Sequence, residues 1–187
     1  MKYSPVKNSR GGDSLEHQGE WLDVISPIDG TTLSRVALSG TSELDECVEA
    51  ATKAYSSWSC LTLRQRCEPF FRYRALLQEH RSELAQLIHE ENGKTFDEGT
   101  AEVDKAIEIV EFACSLPSLA TGEVLQVSPG IECRVDHLPL GVVACITPFN
   151  FPVMVPHWTI PIAIVLGNTM ILKPSEKVPL SANRAAE

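Results

Sequence analysis

One stretch decides the fold: GVVACITPFNFPVMVPHWTIPIAIVLGNTMILKPSE, running from Gly141 to Glu176. No formally charged residue lies between Asp136 and Lys173, so a membrane span has to be considered. Pro148, Pro152, Pro156 and Pro161 interrupt the stretch too often for a lipid-facing helix, and it holds no unbroken apolar run of about 20 residues. Gly141–Thr147 and Thr169–Leu172 are short, β-branched and apolar, as parallel strands covered on both faces are. The segment between them predicts a tight turn and a helix ending near Gly167-Asn168. The whole reads as a βαβ unit. Sheets of this kind bind ligands at the carboxyl ends of their strands, where Thr147–Pro152 and Lys173–Glu176 both fall.

Upstream, GEVLQVSPGIECRVDH alternates apolar and polar residues around Ser128-Pro129-Gly130 and predicts a two-stranded hairpin. This arm, residues 121–139, is read as an oligomerisation element, with an ordinary sheet edge as the alternative. Residues 21–120 hold a hairpin turning at Ile28-Asp29-Gly30 and four amphipathic helices. The first is capped by Ser42 and presents Leu44, Val48, Ala51, Tyr55 and Trp58 on one face. The second turns Leu63, Cys67, Phe70, Phe71 and Leu77 inward. The third ends at Asn92-Gly93, where glycine is a natural stop. The fourth carries Val103, Ile107, Val110 and Cys114 and is expected to end before Pro117. Residues 1–20 are polar and aperiodic and read as a mobile arm. Residues 140–187 contain the βαβ unit.

The 187 residues carry 25 acidic and 16 basic side chains and a formal net charge of -9, which excludes a nucleic-acid binder with a basic face. Hydrophobic residues make up 43% of the chain, enough for a packed core. Met1–Ser14 lacks the apolar core of a secretory signal, and the six cysteines match no zinc-ligand spacing. A cytoplasmic, reduced setting is favoured, with an organellar transit segment as the alternative and the cysteines read as small buried hydrophobes. Neither G-x-G-x-x-G nor G-x-x-x-x-G-K-[ST] occurs. Composition and periodicity alone stop at a soluble α/β domain with a ligand site.

Ile146-Thr147-Pro148-Phe149-Asn150-Phe151-Pro152, followed by Gly167-Asn168 and Lys173-Pro174-Ser175-Glu176, closely resembles the NAD(P)-dependent aldehyde dehydrogenase superfamily. The resemblance covers roughly residues 20–187 and the N-terminal third or so of a family member. Within the superfamily, Glu111–Ser115, Leu138–Val142 and the Pro-Phe-Asn-Phe-Pro form are similar to the methylmalonate-semialdehyde dehydrogenase branch. The implied fold is the N-terminal part of the aldehyde dehydrogenase architecture: a Rossmann-like parallel sheet, covering helices and a protruding hairpin arm.

The implied reaction is oxidation of an aldehyde through a cysteine thioester, with NAD in preference to NADP and water or coenzyme A as acyl acceptor. Asn150 is the expected oxyanion donor, on a turn stiffened by Pro148 and Pro152; a turn residue or helix cap is its plainer reading. Ile146, Thr147, Pro148 and Phe149 are expected to line the cofactor cleft, together with Lys173, Pro174, Ser175 and Glu176. Lys173 and Glu176 would hold the adenosine ribose hydroxyls; a solvated strand-end lysine and a first-turn glutamate are the alternative. Lys105 stands where the branch carries a carboxylate-binding arginine, and offers a point charge in place of a bidentate fork. Met154 and Trp158 are candidates for the aldehyde tunnel or for plain core. Cys145, within a buried strand, is read as core.

The expected partners are a small aldehyde, such as a carboxylated semialdehyde, and further copies in a homodimer or homotetramer, with no nucleic acid and no membrane. Because the chain ends about one turn into a new helix, it is read as part of a dehydrogenase and inactive alone. The alternative is a short, catalytically inactive relative that acts as a binding or oligomerisation partner.

Overall fold

The computed structural model describes residues 1–187. The N-terminal residues are docked, correcting the mobile arm expected from their polarity. β1 (Ser9–Arg10) and β2 (Asp13–Ser14) pair around Gly11-Gly12. The amides of Lys2 and Tyr3 donate to Leu33 O, Val6 N donates to Arg35 O, and Ala37 N donates back to Val6 O. These bonds are made by backbone, which leaves no side-chain periodicity to read. β3 (Trp21–Ile25) and β4 (Thr32–Ala37) form the antiparallel hairpin turned at Gly30. Val6, Val24, Leu33, Leu87 and Leu180 join this part of the chain to the helices in a small apolar cluster.

Four helices follow: α1 (Thr41–Trp58), α2 (Leu63–Glu79), α3 (Arg81–Asn92) and α4 (Phe96–Leu119). Gly40, not Ser42, caps α1, and Glu43 reaches back to the Gly40 amide at 3.0 Å. Thr62 and Thr95 make reciprocal capping boxes with Gln65 and Glu98. The apolar stripe of α1 is not sealed: the helix has no buried residue, and Leu44 and Val48 are exposed. Phe71, expected inside α2, is likewise exposed. α4 runs through Pro117 to Leu119 instead of stopping before it. Proline at this position cannot donate to Ala113 O, and Cys67 Sγ lies 3.9 Å from that oxygen. Gly99 lets α3 and α4 approach closely, since a Cβ there would sit 2.9 Å from Ala85 O. The main core joins Cys67, Phe70, Leu84, Ile88, Val103 and Val110 to residues of the βαβ unit.

β5 (Glu123–Ser128) and β6 (Ile131–Val135) form the expected hairpin, and every residue of it is exposed. β7 (Val142–Ile146) and β8 (Thr169–Lys173) are parallel and in register, Val142 opposite Thr169 and Ile146 opposite Lys173. The crossover is two short helices, α5 (Met154–His157) and α6 (Ile160–Val165), rather than one. Pro161, without an N–H, interrupts the ladder between them. The strands were expected to be covered on both faces, yet most of their residues are only half-buried and Ile146 is 78% exposed. α7 (Pro179–Ala186) closes the chain. No helix is long and apolar enough to cross a membrane.

Candidate active site

Parallel pairing brings two loops together. Thr147 N donates to Lys173 O at 3.1 Å, so Thr147–Pro152 and Pro174–Glu176 leave the sheet side by side at its carboxyl end. Asn168 sets the opposite end of the unit. Its Oδ1 accepts from the amides of Leu140 (2.7 Å) and Gly141 (3.1 Å), and its Nδ2 donates to Ala163 O at 3.0 Å. That explains the Gly167-Asn168 step: φ is +102° at Gly167, and the asparagine ties crossover to strand.

The turn around Asn150 is held from the corner between α3 and α4. Asn92 Nδ2 donates to Phe149 O at 2.7 Å. Gly93, with φ of +84°, ends α3 and swings Lys94 back, placing its Nζ 3.7 Å over the Phe151 ring. Glu102, on the buried side of α4, accepts from Val153 N (2.8 Å) and Met154 N (3.1 Å) through Oε1, and from Lys94 Nζ (2.5 Å) through Oε2. Asn150 and Phe149 stand exposed, while Thr147 is buried with its Oγ1 unpartnered.

On the neighbouring loop, Lys173 Nζ meets Glu176 Oε2 at 3.0 Å, both side chains partly exposed. The Glu176 backbone N–H and the Lys173 ammonium hold its carboxyl below the usual carboxylate range. Glu91 secures the helix that follows. It is buried and accepts from Leu180 N (2.7 Å), Ser181 N (2.8 Å) and the Ser181 hydroxyl. Burial pushes its carboxyl up to about 7 against the pull of those hydrogen bonds.

The parallel unit sets Ile146 opposite Lys173 and Thr147 N on Lys173 O, and the next loop reaches the Asn150 turn through Lys177, whose Nζ lies 5.1 Å over the Phe149 ring; Pro148, Asn150, Pro174, Ser175 and Glu176 follow these strand ends. It does not bring Lys105 there by direct contact. The Lys105 ammonium hydrogen-bonds Glu108 alone, one turn along α4 from Glu102. Met154 opens α5, and Trp158, at its end, is 51% exposed and not core. His157 is buried: Nδ1 donates to Val153 O at 2.6 Å, and Nε2, the unprotonated nitrogen, lies 2.7 Å from the Tyr73 hydroxyl, whose one proton is shared with Ala185 O at 2.8 Å. Burial holds its pKa below the ordinary value, consistent with this neutral tautomer. Cys145 is buried with Sγ 2.9 Å from Thr159 Oγ1. Cys60 and Cys133 are exposed, against the expectation that the cysteines are all interior.

Residues 15–187 match the model of the aldehyde dehydrogenase family. The chain belongs to that family. It is 45% identical over 184 residues to malonate-semialdehyde dehydrogenase 1 of Geobacillus kaustophilus (strain HTA426), an alignment that takes in 97% of this chain and 38% of the relative. Its fold superposes on the crystal structure of methylmalonate-semialdehyde dehydrogenase DddC from Oceanimonas doudoroffii with a TM-score of 0.95 and 37% identity, covering 98% of this chain and 38% of that one. A Sinorhizobium meliloti 1021 protein assigned to the same activity and solved with NAD matches at a TM-score of 0.94 and 33% identity, over 100% and 38% of the two chains. The chain therefore spans less than two-fifths of the length of these relatives.

Within this aldehyde dehydrogenase chain, sequence reasoning missed Asn92, Lys94, Glu102 and Glu91. A signal for Glu102 did exist: it lies on the buried stripe of α4 with Gly99, Val103, Ala106 and Val110, and a carboxylate on such a stripe needs partners.

Proposed function

We propose that these residues serve NAD-dependent oxidation of an aldehyde, with a carboxylated semialdehyde such as malonate or methylmalonate semialdehyde as substrate. The observation that carries the reading is the Thr147 N to Lys173 O bond, from which the Asn150 turn and the Lys173–Glu176 loop leave the same end of the sheet. Support for the substrate class comes from the relatives named above.

The donor set fits the cofactor. Lys173 and Glu176 are partly exposed and satisfy each other, so each keeps spare donors or acceptors for ribose hydroxyls. Bound nicotinamide would accept the hydride. Asn150 supplies an exposed carboxamide whose N–H donates to the aldehyde oxygen as charge develops on it during thiolate addition. Cys145 is not that thiolate: it lies buried against Thr159. We propose that residues 1–187 alone do not complete the reaction, and that the setting is cytoplasmic. The second reading, a non-catalytic binding or oligomerisation partner, draws on the fully exposed β5–β6 arm.

The test is NADH formation by the protein isolated from its source, with malonate and methylmalonate semialdehyde, with and without coenzyme A. Asn150→Ala is expected to lower kcat on the order of 100–1000-fold with little change in KM. A natural protein that binds NAD and forms no NADH with any aldehyde refutes the catalytic reading and leaves the partner reading.

A further inference from the structure

We propose that Glu102 is a positioning residue: its buried carboxylate fixes the backbone that aims the Asn150 side chain. Pro148 and Pro152 stiffen the turn locally but remove two N–H groups from it. The next two amides, Val153 and Met154, open a helix of four residues that makes too few bonds of its own to anchor anything. Glu102 takes both, at 2.8 and 3.1 Å, while its other oxygen is held by Lys94 at 2.5 Å. The glutamate is 3% exposed, so its position is set by the α4 core and not by solvent.

The same corner grips the turn at two further points. Asn92 binds Phe149 O on one side of Asn150, and Lys94 covers the Phe151 ring on the other. Contacts flank Asn150 on both sides and leave its own carboxamide exposed. A hydrogen-bond donor that acts without reorganisation needs that arrangement. Glu102 is buried beneath the turn and contacts Asn150 through no atom of its own; its effect passes through the backbone of Val153 and Met154.

The consequence for turnover rests on the proposed aldehyde oxidation, whereas the ordering of Asn150 does not. The experiment is therefore ¹⁵N relaxation on the 187-residue chain, comparing Glu102→Gln, Glu102→Asp and Glu102→Ala. Glutamine keeps one oxygen for both amides and loses the charge together with the Lys94 contact; aspartate keeps the charge and loses the reach. Backbone order parameters for Asn150, Phe151, Val153 and Met154 are expected near ~0.85 in the natural chain and in Glu102→Gln, falling below ~0.6 in Glu102→Asp. Glu102→Ala is expected to be lowest, with the methyl signals of Val103 and Val110 unmoved. Should alanine prevent folding, the aspartate–glutamine contrast decides. Equal order at Asn150 in the aspartate, glutamine and natural chains overturns the proposal, whatever the NADH assay shows. In that assay, Glu102→Asp is expected to lower kcat about tenfold or more while KM stays within about twofold.

Discussion

The Lys173 ammonium and the Glu176 carboxylate lie 3.0 Å apart just beyond β8, each side chain about half exposed. A pair this open contributes little to stability, so exchanging it for a ligand would cost little. Two ribose hydroxyls could replace the mutual contact, one accepting from lysine and one donating to glutamate. A 2′-phosphate would satisfy Lys173 and face Glu176 with like charge. Glu176→Gln is accordingly expected to raise the ratio of NADP to NAD affinity about tenfold, and Lys173→Met to weaken both cofactors by about as much. Calorimetric titration with each cofactor measures this. An unchanged ratio in Glu176→Gln would remove the glutamate from cofactor selection.

The role proposed for Lys105 concerns the acyl group rather than the cofactor. Its ammonium is already occupied by Glu108, at 2.7 and 3.0 Å on the exposed side of α4. A substrate carboxylate must compete with that neighbour. Glu108→Gln is expected to lower KM for malonate semialdehyde two- to threefold at low salt and to leave KM for propanal unchanged. Lys105→Ala should raise the first and spare the second. The difference should shrink as salt is added, since exposed charges are screened. Parallel changes for both aldehydes would show that Lys105 does not read the carboxylate.

Glu91 makes stability fall with pH over an unusual range. Its carboxyl titrates near 7 in the folded chain, against about 4.5 when unfolded. The folded state therefore binds the proton more tightly, and the stabilisation is fully present below pH 4.5. It is lost progressively as pH rises toward 7, by about 3 kcal/mol in all. Glu91→Gln removes the ionisation and keeps one acceptor oxygen for the Ser181 amide and hydroxyl, at the cost of the Leu180 N contact at every pH. Chemical denaturation from pH 4 to 8 should show the natural chain losing stability relative to Glu91→Gln across that interval. Parallel profiles would mean that Glu91 ionises normally despite burial.

Local chemistry made the βαβ unit and both hairpins legible. Four prolines, Gly167-Asn168 and Asp29-Gly30 or Pro129-Gly130 each restrict the backbone by themselves. The Asn150 and Lys173–Glu176 loops were legible for the same reason, because strand ends follow from strand positions. The supports beneath them were not. Glu102 lies 51 positions before Val153, and Glu91 lies 89 before Leu180, so only the folded helices reveal those bonds. Pro117 misled by only a few residues: α4 runs two positions past it, to Leu119, before it stops. The exposure of Leu44 and Val48 is equally invisible to periodicity, which identifies an apolar face but not what covers it.

The β5–β6 arm presents the same question on a larger scale. Leu125 lies opposite Cys133, and the period of two on β6 places Ile131 and Val135 on that same face, the register shifting on β5 between Gln126 and Ser128. All are exposed. A lone two-stranded ribbon is marginal in water, and an exposed apolar edge invites pairing with another chain. A second copy of this chain satisfies both conditions by adding strands at the edge or apolar cover on the face. Leu125→Lys with Val135→Lys places two charges on that face without touching the helical core. The natural protein is expected to elute as a dimer or tetramer at micromolar concentration, and the double variant as a monomer with unchanged circular dichroism. A natural protein that is monomeric, or a double variant that still associates, would show that the arm serves something other than self-assembly.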